Sequence, residues 1–73
     1  MKFAPLDPVV VNRDLPLHGL RAGDLGAVVE IYGTHGVEVE FVRASGETKA
    51  LVTLEATDLR PVTEADVLAV RQT

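Results

Sequence analysis

The sequence predicts a mainly β domain, a small five-stranded barrel followed by a short C-terminal helix. Three observations predict it. Apolar and polar side chains alternate along most of the chain instead of recurring at helical spacing. Glycine- and proline-bearing segments cut that pattern into short runs. The length, 73 residues, is enough for one domain and no more.

The clearest strand covers residues 37–43. Val37, Val39 and Phe41 point one way, and Glu38 and Glu40 point the other. Such alternation marks an antiparallel strand with one face buried. Before it, residues 25–32 place Ala27, Val29 and Ile31 on one face. After it, residues 48–54 do the same with Ala50, Val52 and Leu54.

Ser45-Gly46 reads as a two-residue hairpin loop, because glycine supplies the positive φ such loops need. Pairing Ala44 with Glu47 across it sets Phe41 opposite Ala50, Val39 opposite Val52 and Val37 opposite Leu54. On the outer face it sets Val42 opposite Lys49 and Glu38 opposite Thr53. A slip of one residue would place Phe41 opposite Lys49, so the hydrophobic pattern and the loop agree. For the preceding hairpin, pairing Ile31 with Val37 and Val29 with Val39 matches apolar to apolar. It leaves Glu30 opposite Glu38, a mildly destabilising pair. A register two residues away, with Ile31 opposite Val39, keeps the faces matched as well.

A short strand at Val9-Val10-Val11 opens the fold. Residues 14–20 follow as a long irregular loop with two leading hydrophobics, Leu15 and Leu17, around Pro16. Residues 58–62 read as a turn and a last edge strand, where the missing N–H of Pro61 does no harm. Thr63 suits a helix N-cap, with Glu64 and Asp66 in the first turn. The expected division is therefore one domain, 1–73: a barrel over 1–62, and a short helix or frayed tail over 63–73. Five short strands with one long first loop describe an SH3-like barrel, an architecture that limits exposed sheet edges.

Quoted in order, Asp14-Leu15-Pro16, His18-Gly19-Leu20, Gly23-Asp24-Leu25-Gly26-Ala27-Val28-Val29, Val37-Glu38-Val39-Glu40-Phe41 and Leu54-Glu55-Ala56-Thr57-Asp58-Leu59-Arg60-Pro61-Val62 resemble the domain-of-unknown-function 4926 family (DUF4926). These are small, mostly bacterial proteins. The resemblance spans roughly residues 5 to 62. It implies an SH3-like barrel and no established activity. The shorter Gly23-Asp24-x-Gly26-x-Val28 core is also similar to the start of KOW modules and of the nitrile hydratase β-subunit barrel. KOW modules often touch RNA or ribosomal proteins. This chain lacks the basic residues that usually flank their motif.

Composition narrows the functions. The chain has no cysteine, which removes disulfides, thiolate metal sites and cysteine nucleophiles. A reducing, cytoplasmic compartment is the simplest match. Nothing approaches the length of apolar run that crosses a membrane, and residues 1–5 lack the apolar run of a signal peptide. Eleven acidic and seven basic residues give a net charge of −4. That balance disfavours binding to nucleic acid, which leans on clustered Lys and Arg.

The two histidines, His18 and His35, fall in loops with no close ligand spacing, so no metal and no cofactor is expected. Gly23 and Gly26 open onto a strand, whereas phosphate-binding loops open onto a helix N-terminus. Asp24 is expected to make a local turn hydrogen bond. At 4% aromatic content the chain cannot line the groove by which SH3 domains hold proline-rich peptides.

Two features remain as candidates for contact with a protein partner. One is the apolar loop, Leu15, Pro16, Leu17, His18 and Leu20, parts of which are also suited to capping the barrel end. The other is the outer sheet face carrying Glu30, Glu38 and Glu40 with Tyr32 at its hairpin end. The sequence therefore points to a non-enzymatic protein-interaction module, an antitoxin- or immunity-type partner of a neighbouring gene product being one concrete form. A KOW-like RNA- or ribosome-associated module is the first alternative; it requires Arg13, Arg21, Arg43 and Lys49 to converge. The second is an accessory barrel that assembles with itself or within a larger, nitrile hydratase-like enzyme.

Overall fold

A computed structural model describes residues 2–42 and 48–66 of the chain. Five antiparallel strands form one sheet: β1 (Pro8–Val11), β2 (Leu25–Tyr32), β3 (Gly36–Val42), β4 (Thr48–Glu55) and β5 (Leu59–Pro61). Their order is β4-β3-β2-β1-β5. Consecutive strands β1 to β4 are neighbours, and β5 returns to the far side of β1. One 3₁₀ turn, Pro16–His18, lies in the β1–β2 loop, and another, Ala56–Asp58, joins β4 to β5.

The β3–β4 register is the one the apolar pattern dictates: Val37 opposite Leu54, Val39 opposite Val52 and Phe41 opposite Ala50. Val42 lies opposite Thr48 and not Lys49, because the register shifts after Phe41 and gives β4 one extra residue there. The Ser45-Gly46 loop and the Ala44–Glu47 pair fall outside the described residues.

Strand β2 departs from simple alternation. Ile31 pairs with Val37 and Glu30 with Glu38, as the favoured register has it, but Val39 lies opposite Val28 instead of Val29. Val29 is the extra residue of a β-bulge, which resets the side-chain alternation by one. Val28 is therefore the buried residue, 1% exposed, and Val29 is turned out at 43%. The expected inward set Ala27, Val29 and Ile31 becomes Val28 and Ile31.

The core gathers Val9 and Val11 from β1, Val28 from β2, Val37, Val39 and Phe41 from β3, Leu54 from β4 and Leu59 from β5. Phe3, Leu15 and Leu20 close it from outside the strands. Each fully buried aliphatic or aromatic side chain contributes about 1.5–3 kcal/mol relative to exposure. Val10 is also buried, so β1 is covered on both faces.

The β1–β2 loop is strapped to β1 by Gly23 N–H to the Val11 carbonyl and Val11 N–H to the Asp24 carbonyl, both 2.9 Å. Asp24 makes the expected turn bond, its Oδ2 accepting the Arg21 amide at 3.0 Å. Gly23 has φ +96°, the left-handed side that glycine tolerates. Gly26 is required for a different reason: a Cβ there would come within 2.9 Å of the Glu40 carbonyl oxygen and 2.7 Å of a Val39 methyl. Beyond β5, residues 64–66 form an α-helical turn. Thr63 precedes it as expected, its amide donating to Asp66 Oδ2 at 2.7 Å. The remainder of the expected 63–73 helix lies outside the described residues.

Candidate functional site

The three glutamates share the outer face at the hairpin end of β2 and β3. Glu30 is directly opposite Glu38, and Glu40, two residues along β3, lies between Ala27 and Leu51. On its other side Glu38 faces Thr53. No register partner of Glu38 or Glu40 is therefore a cation. Tyr32 closes the cluster, its hydroxyl 3.4 Å from Glu38 Oε1. Desolvation, followed by the nearby Glu38 and Glu30 carboxylates, raises the Tyr32 phenol above its usual pKa. Two apolar side chains stand exposed beside these groups, Val29 on β2 and Leu51 on β4.

The apolar loop divides. Leu15 and Leu20 bond to each other's backbone, with N–H to O distances of 2.8 and 3.1 Å, and both side chains are buried in the core. They cap the sheet and present no surface. Between them the turn Pro16–His18, ended by Gly19 at φ +68°, holds Pro16, Leu17 and His18 in solvent. Leu17 is 98% exposed. This loop enters β2 at Leu25, whereas Glu30 lies five residues along that strand. At about 3.3 Å per residue the two are separated by roughly 17 Å of strand. They are two sites, not one.

A third feature escapes pattern reading. Residues 4–7 form a tight turn in which the Asp7 amide donates to the Ala4 carbonyl at 3.1 Å and Asp7 Oδ2 accepts the Ala4 amide at 2.9 Å. Pro5 and Leu6 are its central residues, and Leu6 has φ +76°. That combination is a type II turn, which normally takes glycine at the second central position. Leu6 is nonetheless 87% exposed. The turn is sewn to the bulge: Leu6 N–H donates to the Val28 carbonyl at 2.8 Å, and Val28 N–H to the Asp7 carbonyl at 2.9 Å. Pro5 is the only sequence signal of this turn.

Arg13 is engaged by Asp58, and Arg43 and the Lys49 side chain lie outside the described residues. Among the described residues, no group of three or more His, Asp or Glu is placed to hold a metal ion. No helix among them is long and apolar enough to cross a membrane. An open cleft of about 340 Å³ is lined by Lys2, Phe3, Asp7, Pro8, Pro61 and Val62. Its one carboxylate, Asp7, is already committed to the Ala4 amide.

Residues 6–61 match a family described as a domain of unknown function (DUF4926). No curated protein and no solved structure gives a significant match.

Proposed function

The chain belongs to the DUF4926 family, a domain of unknown function, and from that premise we propose that it is a non-enzymatic protein-interaction module that binds a basic partner through its acidic outer face. The observation that carries this is the Glu30–Glu38 pair: two carboxylates directly opposite on a sheet, with Glu40 two residues away. Like charges so placed are destabilising, and a cation from outside would remove the conflict. Complementary charge of this kind raises association rate and selects against wrong partners.

Catalysis is a poorer match. A carboxylate pair does acid–base work when burial separates the two pKa values, and these groups stand on an open sheet face. A small acidic protein that covers a basic protein encoded beside it, as an immunity or antitoxin protein does, is one form of this function. The cysteine-free composition is compatible with action in a reducing cytoplasm.

The test is affinity capture from the source cell with three baits: the wild type, E30Q/E38Q/E40Q, and L17S on the loop. A basic protein held by the wild type and L17S but lost by the triple variant supports the proposal. Retention by the triple variant contradicts it.

A further inference from the structure

Three local costs gather around residues 28–30 of β2. Glu30 lies opposite Glu38. Immediately before Glu30, the bulge turns Val29 into solvent and Val28 into the core. One hydrogen bond from Val28, Leu6 holds a positive φ and exposes its side chain. Each has an ordinary remedy: a polar residue for one glutamate, a polar residue at position 29, and glycine at position 6. Positions where local rules fail together are expected at functional sites, where strain is part of the design.

We propose that Leu6 and Val29 are the apolar half of the acidic docking surface, so that its partner is a protein segment carrying both basic and apolar side chains rather than a simple polycation. This rests on the acidic-face function proposed above. The charge selects the occupant. A second copy of the chain, at net charge −4, would bring like-charged glutamates together, and an anionic lipid surface would be repelled. A basic segment neutralises Glu30, Glu38 and Glu40, and its apolar side chains cover Leu6, Val29 and Leu51. The hydrogen bonds of the turn hold Leu6 in place before binding, which lowers the ordering cost of association.

Two synthetic peptides of equal length and equal lysine count test it, one alternating Lys with Leu and the other Lys with Ser. Titrated into the full chain, the Lys-Leu peptide should bind about tenfold more tightly. Leu6→Gly and Leu6→Asn both accept the positive φ, so they remove the apolar side chain without disturbing the turn. Each should erase most of that preference and leave Lys-Ser binding unchanged. Glu38→Gln should weaken both peptides, and more than Glu64→Gln, which removes the same charge elsewhere. If the Leu6 variants bind both peptides as the wild type does, the apolar half falls and the acidic face stands. If Glu38→Gln is no worse than Glu64→Gln, the acidic face itself falls. A molecular mass that rises with concentration in the absence of peptide, and is reset by the Leu6 variants, would assign the patch to a second copy and overturn the proposal.

Discussion

Arg13 and Asp58, 45 positions apart, are clasped together: Arg13 Nε donates to Asp58 Oδ1 at 2.8 Å, and a second guanidinium nitrogen lies 2.6 Å from the same oxygen. Asp58 is only 5% exposed. Its other oxygen accepts the Glu55 amide at 3.2 Å, and its own carbonyl accepts the Asn12 amide at 2.7 Å. One buried carboxylate thus fixes the turn Ala56–Asp58 to the end of β1 and sets the entry into β5. Asp58→Ala should cost about 1.5–3 kcal/mol in urea unfolding, the range for hydrogen bonds to a charged group. Arg13, mostly in solvent, should cost less than about 1 kcal/mol on truncation to Ala. Equal losses would show that the ion pair, and not the capped turn, is what stabilises this corner.

Gly26 and Phe41 face each other across β2 and β3, and a Cβ at position 26 would lie 2.9 Å from the Phe41 ring and as close to a backbone oxygen. Gly26→Ala should destabilise the chain by about 1–3 kcal/mol, as overpacking does. Chemical unfolding checks this; an unchanged midpoint would mean that β3 yields freely.

Much of the β-sheet was legible in the sequence because alternation has a period of two and a one-residue slip exposes Phe41 or buries a charge. The Glu30–Glu38 pairing was within reach for the same reason, and the hidden Leu15 and Leu20 because an apolar loop is suited to capping the barrel end. The bulge was not. Val28 and Val29 are the same residue type, so no pattern of polarity can say which of the two faces inward; it is Val28 whose backbone is bonded to residues 6 and 7, its N–H donating to the Asp7 carbonyl and its carbonyl accepting from Leu6. Leu6 was invisible for the opposite reason, since residue type argues against the backbone it adopts. The Arg13–Asp58 clasp joins residues too far apart for local spacing to connect.

Relief of the Leu6 turn should be measurable. A left-handed residue costs about 1–2 kcal/mol, partly offset by the added chain entropy of glycine, about 0.5–1 kcal/mol. Leu6→Gly should therefore raise Tm by about 2–6 °C. A fall in Tm would mean that the Leu6 side chain contributes more to the fold than its exposure implies.

Asp66 links the fold to pH. Both terminal guanidinium nitrogens of Arg60 grip its carboxylate, at 2.7 and 2.8 Å, and the Thr63 amide donates to it as well. Those bonds, the Arg60 pair first, hold its pKa far below the usual carboxylate range. A depressed folded pKa gives stability that is complete above the unfolded carboxylate pKa and is lost as the pH falls below it. Asp66→Asn should be less stable than wild type at pH 7, with the gap closing on acidification below about pH 4. Parallel melting curves across that window would contradict the linkage.

The acidic outer face is the central claim, and mapping contacts on the intact, isotopically labelled chain tests it most directly. On titration with the Lys-Leu peptide, backbone amide shifts should concentrate at Leu6, at residues 27–32 and 36–41, and at Leu51. Shifts confined to Leu17, His18 and Gly19, with Glu30, Glu38 and Glu40 unmoved, would place binding on the loop and contradict it.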